Sequence, residues 1–360
     1  MNPATLAKHD IRSRRHPEPE NAGALRDSLN RPLHDLRISV IDRCNFRCTY
    51  CMPEDERTPE YVFLKQKQWL DFDEIVRLTR LLVGLGACKV RLTGGEPLLR
   101  PELPRLIGML RQIPGIEDLA LTTNGSLLAQ HAAELRRAGL KRLTVSLDTL
   151  DEDLFLKMSG GKGNVGQVLA GLKEAQRQGF ERVKINTVVR KGLNDRTLLE
   201  LVQYFRGSGH VVRFIEYMDV GNCNHWQMQE VVPSAEILAA IHREFPLKAA
   251  GTDYYGEVAE RYEFIDGQGE VGFISSVTQP FCGTCTRARI STDGKLYTCL
   301  FASDGEDLRA PLREGKSDAD IREILQRVWT KRKDRYSQER SAIQQSEHNR
   351  KKIEMYQIGG

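Results

Sequence analysis

Residues 37–51 read Arg-Ile-Ser-Val-Ile-Asp-Arg-Cys-Asn-Phe-Arg-Cys-Thr-Tyr-Cys. The run 36–40 is β-type and delivers the chain into a loop that carries Cys44, Cys48 and Cys51. Three thiolates can hold three irons of a four-iron cube and leave the fourth iron free of protein ligands, open to a chelating molecule. A zinc ion with a distant fourth ligand would use the same residues. No second cysteine pair or histidine lies nearby in the sequence to complete that tetrahedron.

β-type runs recur at 36–40, 89–92, 119–121, 142–147, 182–189 and 211–216. Amphipathic helical patterns separate them, for example at 73–83, 126–138 and 165–178. Repeated βα units imply parallel strands with crossover helices. Six units are too few for a closed eight-fold barrel, so the expected fold is α/β, a partial (β/α)6 TIM-like barrel. Successive strand side chains point to opposite faces. Lys89, Arg91 and Thr93 therefore oppose Val90 and Leu92; Thr144, Ser146 and Asp148 oppose Leu143, Val145 and Leu147; Arg182, Lys184 and Asn186 oppose Val183, Ile185 and Thr187. The apolar faces must meet the helices, which leaves the polar faces lining a concave interior where cations need an anionic ligand or acidic partners. Edge strands with one face in solvent would be the plainer explanation.

The chain has 360 residues, 40% hydrophobic and 28% charged, the balance of a globular protein. No apolar run approaches the roughly 18 residues of a spanning helix, so no membrane partner is expected. The N-terminus carries no apolar segment of the secretory kind, and a cytoplasmic location is expected. A net charge of +4 and 7% aromatic residues give no reason to expect nucleic acid as a partner. Residues 1–30 read as a flexible leader, 31–220 as the barrel, 221–335 as a C-terminal region and 336–360 as a charged tail ending in Gly359-Gly360. Within the C-terminal region a helix is expected at 234–245, short β-like stretches at 271–297 and a helix at 318–328. Of eight cysteines, six fall into two spaced groups. Cys88 and Cys223 remain, and read as buried free thiols.

The three-cysteine loop after the first strand resembles the signature of the radical S-adenosylmethionine (SAM) superfamily. The resemblance implies a 4Fe-4S cluster on Cys44, Cys48 and Cys51, SAM chelated at the open iron, and cleavage of SAM to methionine and a 5′-deoxyadenosyl radical. Gly94-Gly95-Glu96-Pro97 is similar to the family's Gly-Gly-Glu motif at the SAM amino group, although alone such a turn is usually only a loop. The family match further implies Tyr50 beside the cluster, Gly95 and Ser146 at SAM, and Met218 near the adenine.

The second group is Cys282, Cys285 and Cys299, with Arg287 and Arg289 just after the pair. A zinc knuckle short of one ligand would also fit these three cysteines. The segments Phe281-Cys-Gly-Thr-Cys-Thr-Arg-Ala-Arg289, Lys184-Ile-Asn-Thr-Val, Arg213-Phe-Ile-Glu-Tyr-Met218 and Ile358-Gly359-Gly360 narrow the resemblance to the GTP 3′,8-cyclase family. Ile41 stands where that family usually has Thr, and Thr286 and Ala288 are unusual neighbours of the two arginines. What the resemblance implies is a second 4Fe-4S cluster on the second group, in a C-terminal extension of the barrel, with its open iron on the purine of GTP. By position the GTP set is Arg37, Arg91, Thr122, Lys184, Arg287 and Arg289, with Gly359 and Gly360 reaching the catalytic centre. The implied product is 3′,8-cyclo-7,8-dihydro-GTP in molybdopterin biosynthesis. The implied partners are a flavodoxin- or ferredoxin-type electron donor, cyclic pyranopterin monophosphate synthase downstream, and a second copy in a homodimer. A radical SAM enzyme that modifies peptides, with an auxiliary cluster, is the alternative, but it would not need a basic barrel interior.

Overall fold

The computed structural model describes residues 23–52, 63–346 and 352–359. The parallel strands are β1 (Asp35–Ser39), β2 (Lys89–Thr93), β3 (Asp118–Thr123), β4 (Arg142–Ser146), β5 (Lys184–Val189) and β6 (Val211–Glu216). Each hydrogen-bonds the next in sequence order. Between them run α1 (Phe72–Val83), α2 (Leu103–Arg111), α3 (Leu128–Arg137), α4 (Glu152–Ser159), α5 (Val165–Arg177) and α6 (Leu198–Phe205). Local chemistry sets the helix starts. Asp71 accepts the Glu74 N–H and Glu74 returns the bond to the Asp71 N–H, both at 2.8 Å. Asp151 and Asn164 cap α4 and α5 by accepting the N–H of Leu154 and Gln167, without a returning bond, each such cap contributing about 0.5–2 kcal/mol.

After β6 come α7 (Ser234–Glu244), β7 (Leu247–Ala249), β8 (Glu260–Phe264), β9 (Glu270–Ile274), β10 (Arg287–Ile290), β11 (Lys295–Tyr297) and β12 (Glu306–Asp307). The chain continues through α8 (Arg309–Arg313), α9 (Asp318–Thr330), α10 (Tyr336–Ser346) and α11 (Met355–Ile358). β9 pairs parallel with β6, and β10 pairs parallel with β1. The C-terminal region thus extends the six-stranded parallel sheet at both ends, which local periodicity cannot show. β9 and β10 do not pair with each other, and the sheet stays open between them.

The helix-facing sides carry the core: Leu36, Ile38, Val90, Leu92, Leu121, Val145, Ile185 and Phe214 are buried against Leu78, Leu106, Leu135, Leu172 and Leu201. Burying one such side chain contributes on the order of 1.5–3 kcal/mol.

Three sequence expectations change here. Arg182 does not share the interior face with Lys184, because its φ of 49° turns the chain before β5 begins and its side chain pairs outside with Glu270 at 2.9 Å. Within the expected leader, residues 1–22 lie outside the described residues, whereas 23–30 are held to the barrel. There Leu25 N–H reaches the Leu85 carbonyl at 2.8 Å, and buried Asp27 takes the guanidinium of Arg31 at 2.6 Å. The expected charged tail also contributes buried side chains, Tyr336, Arg340, Tyr356 and Ile358.

Candidate active site

The chain leaves β1 into the loop of Cys44, Cys48 and Cys51, and the turn after β2 lies directly against it. Gly95 N–H donates to the Ile41 carbonyl at 2.7 Å and Glu96 N–H to the Arg43 carbonyl at 2.8 Å. A Cβ at Gly94 would overlap the Ile41 carbonyl, and one at Gly95 the Arg43 carbonyl. Glycine is required for that close approach. The Glu96 carboxylate is buried and accepts from the Thr123 hydroxyl (2.6 Å), Asn124 N–H (2.7 Å) and Leu98 N–H (3.1 Å). Burial lifts it to about 7. Asn124 in turn donates to Asn45 Oδ1 at 2.8 Å. Gly95 lines the cavity while Glu96 braces the loops around it.

Cys44, Cys48 and Cys51 all line this cavity. Burial raises the three thiols, Cys44 to about 11 with Glu96 adding to the effect, and Cys48 and Cys51 well above the usual range. Such thiols keep their protons until a metal displaces them, and three soft donors around one space fit an iron-sulfur cluster. Among the described residues no three His, Cys, Asp or Glu side chains gather as closely as a single ion requires. At the same end of the cavity stand Ser146, which ends β4, and Met218, just past β6. Tyr50 also lines it, with its hydroxyl donating to Asp148 at 2.8 Å.

Topology places the second trio at the other end. Cys282 and Cys285 precede β10, which runs parallel to β1, and Cys299 follows β11, which returns antiparallel to β10. All three also line the cavity. Arg332 and Arg287 donate to Cys285 Sγ at 3.0 and 3.2 Å. Burial alone would raise the Cys285 thiol, but these two cations bring it down to about 6. Arg31 donates to the Cys282 carbonyl at 2.8 Å, and Asp27 lies between Arg31 and Arg332.

Between the trios the parallel register aligns cations. Arg37 pairs across to Arg289 on one side and to Arg91 on the other, and Arg142 follows beyond Ala120. In-register neighbours point to one face, so these guanidinium groups share the interior with Lys184, Arg213 and Arg287. Arg91 donates to Thr122 (3.0 Å) and Thr144 (2.8 Å). Burial, with neighbouring cations adding to it, pulls Arg37 well below its usual value, Lys184 to about 6, Arg213 to about 9 and Arg289 to about 10. Acidic partners are few: Asp118 pairs with Arg142, and Asp35 takes His34 and the Thr286 hydroxyl. A set of half-buried cations gathered in one cavity, with Arg289 fully buried, suits an anion of several charges.

Arg142 and Arg213 are absent from the sequence-based GTP set. Each lies on a polar strand face, Arg142 in the 142–147 alternation and Arg213 in a quoted motif, so the signal was present. Asn186, which accepts from Arg213 at 2.6 and 3.0 Å, holds that guanidinium in place.

The C-terminus enters from the side of Met218. Asp219 is buried and accepts from Tyr336 (2.5 Å), Arg340 (2.9 Å) and Lys352 (2.9 Å). Glu354 accepts from Asn222 N–H and the Cys223 thiol, both at 2.9 Å. Cys223 is thus a partner of the tail rather than an idle thiol. α11 then carries Gly359 to the barrel, where its carbonyl accepts from Arg289 at 2.5 Å. Gly359 has φ of 68°, and a Cβ there would overlap Thr93. Gly360 lies outside the described residues.

Residues 38–205 match the Radical SAM superfamily model and residues 210–338 match Molybdenum Cofactor Synthesis C. A GTP 3′,8-cyclase of Xanthomonas campestris pv. campestris is 54% identical over 94% of this chain and 98% of its own. Relatives of the same description from Acidothermus cellulolyticus and Staphylococcus saprophyticus are 51% and 46% identical, over 88% and 93% of this chain and 89% and 98% of theirs. Among solved structures, Streptococcus suis SuiB aligns with a TM-score of 0.54 at 16% identity, covering 84% of this chain and 67% of that one, a likeness of fold.

Proposed function

This chain belongs to the GTP 3′,8-cyclase family, and from that premise we propose how its residues divide the work. It is a radical SAM enzyme of molybdenum cofactor biosynthesis that acts on GTP and uses a 4Fe-4S cluster with SAM. When bound, cluster and SAM would supply a 5′-deoxyadenosyl radical to take the ribose C3′ hydrogen of GTP; C3′ would then join guanine C8, with one electron from a reductant and one proton completing the dihydro product. In our reading Cys44, Cys48 and Cys51 hold that cluster, and Tyr50, Gly95, Ser146 and Met218 surround SAM. Cys282, Cys285 and Cys299 hold a second 4Fe-4S cluster that takes the purine. Arg37, Arg91, Thr122, Lys184, Arg287 and Arg289 hold the nucleotide, joined by Arg142 and Arg213.

The observation that carries this reading is the run of interior cations between two cysteine trios at opposite ends of one cavity. Cysteines at each end and cations between suit a substrate whose base, sugar and phosphates must meet different chemistries at once. The family further suggests a flavodoxin- or ferredoxin-type donor, hand-over of product to cyclic pyranopterin monophosphate synthase, a homodimer and a cytoplasmic location. Among the described residues no helix is long and apolar enough to cross a membrane.

The direct test is anaerobic. Reconstituted protein should bind about eight irons per chain, four for each trio. With SAM, reductant and GTP it should form 5′-deoxyadenosine together with a 3′,8-cyclised nucleotide. About four irons would remove the second cluster from this reading. Absence of the cyclised nucleotide would remove the reaction.

A second expectation concerns protons. Lys184, which desolvation and the neighbouring Arg213, Arg142 and Arg91 pull down to about 6, is mostly neutral at pH 7.5. A phosphate beside it favours the charged form and raises that value. Binding of GTP therefore takes up a proton, and affinity falls as pH rises from about 6 toward the bound-state value. Calorimetry at pH 7.5 in buffers of different ionisation enthalpy should show net uptake approaching one proton, largely lost in Lys184→Arg. Equal heats in all buffers would count against Lys184 as a phosphate ligand.

A further inference from the structure

The loop between β7 and β8 crosses the N-terminal ends of the barrel strands, the end opposite the first cysteine loop, and Tyr254, Gly256 and Val258 line the cavity there. The loop is braced. Ala250 N–H donates to the Arg261 carbonyl at 2.9 Å, and Glu257, itself buried, accepts the Asp253 N–H at 2.8 Å. Asp253 also pairs with Arg261, and Gly256 sits so close to Thr286 that a Cβ would press on its side chain. Tyr254 is thus presented from a fixed frame.

Its ring covers Lys89, whose Nζ lies 3.0 Å from the ring centroid, and His34 stacks beside it at 6.3 Å. Lys89 opens β2 and is flanked in register by Asp35 and Asp118. The phenol lies within electrostatic reach of Asp35 and Glu257 and, more weakly, of Arg91 and Arg142, and Arg213 feels it in return. Burial lifts the phenol to about 12, so at neutral pH it is an O–H donor. A neutral donor among cations adds a hydrogen bond to an anion without adding to their mutual repulsion.

The direction of the substrate decides what this donor meets. With the sugar toward the SAM end, where its C3′ hydrogen is removed, and the purine at the second cluster, the phosphates fall to the cations Arg91, Arg142, Lys184 and Arg213, which stand early in their strands, toward the end that this loop crosses. We propose that Tyr254 is a substrate-contacting residue that donates its hydroxyl to the terminal phosphate of the nucleoside triphosphate and, with Lys89 held against its ring, sets the preference for three phosphates over two. This rests on the assignment of the cavity to GTP made above.

The test uses anaerobically reconstituted enzyme and equilibrium binding of GTP, GDP and GMP. Tyr254→Phe keeps the ring over Lys89 and removes only the hydroxyl. GTP affinity should fall about tenfold while GDP and GMP affinities stay within about twofold, so that the preference for GTP over GDP shrinks by the same factor. Tyr254→Ala should shrink it further. Iron content and melting temperature of the Phe variant should match wild type. An unchanged GTP-to-GDP ratio in the Phe variant overturns the proposal while leaving the substrate reading intact. Equal losses for all three nucleotides in the Ala variant would make the loop a general closure and overturn the terminal-phosphate role. Failure of the wild-type holoenzyme to bind GTP saturably would overturn the substrate reading and this proposal with it.

Discussion

Replacing Cys44, Cys48 and Cys51 together by Ala is expected to abolish SAM cleavage and to remove about half of the bound iron. The three cysteines are half-buried and line one cavity, and desolvation raises their thiols, so a metal must displace their protons. The fold itself leans little on them. Cys44 Sγ accepts from Phe46 N–H at 3.3 Å and Cys51 N–H bonds the Cys48 carbonyl at 2.9 Å, a backbone contact that Ala keeps. Losing weak sulfur acceptors costs well under the ~1 kcal/mol of an ordinary hydrogen bond. The variant should therefore stay folded and retain the iron of the other trio. The matched variant, Cys282, Cys285 and Cys299 to Ala, should lose the complementary half of the iron and all cyclised product, yet keep measurable SAM cleavage. Two anaerobic measurements decide the matter: iron per chain, and 5′-deoxyadenosine formed with reductant. SAM cleavage surviving in the first variant would end the assignment of that trio to the radical-generating cluster.

How far the sequence reached can be judged strand by strand. Lys89, Arg91 and Thr93 alternate cleanly with Val90 and Leu92, and the structure turns the first set inward because the second must meet α1 and α2. That inference needed only a period of two and the cost of burying charge. Arg182 shows where it stops. Alternation was extended two residues too far, and a left-handed backbone at Arg182 sent its side chain outside. Pairings between distant segments were not legible at all. Nothing local in Arg287–Ile290 says that it lies beside β1, yet that register is what aligns Arg289 with Arg37 and Arg91. The Asp27, Arg31 and Arg332 group is of the same kind. Arg332 lies 305 positions from Asp27, and composition alone assigns Asp27 to a loose leader. Arg142 and Arg213 were readable from alternation, but a set drawn by family likeness passed over them.

Substituting Gly359 by Val, or deleting Gly359 and Gly360, is expected to lower formation of the cyclised product by about a hundredfold, the scale of loss from an ångström-level displacement in an active site. Two features of Gly359 set the direction. Its φ of 68° costs a side-chain-bearing residue about 1–2 kcal/mol, and a Cβ would overlap Thr93 at the end of β2. Both push the last residues away from Arg289, which now donates to the Gly359 carbonyl at 2.5 Å. The rest of the tail is anchored independently, by Lys352 on Asp219, by Glu354 on Asn222 and Cys223, and by buried Tyr356 and Ile358. The change should therefore stay local. Iron content should match wild type, and GTP binding should change by no more than about threefold, because Arg289 is one cation among several in the interior. SAM cleavage should persist, so the amount of 5′-deoxyadenosine per cyclised nucleotide should rise steeply. Both products are quantified from one anaerobic reaction, which separates a tail that directs the substrate radical from one that merely fills space. A truncated enzyme that cyclises GTP at the wild-type rate would reduce the contact between Arg289 and Gly359 to packing at the end of the chain.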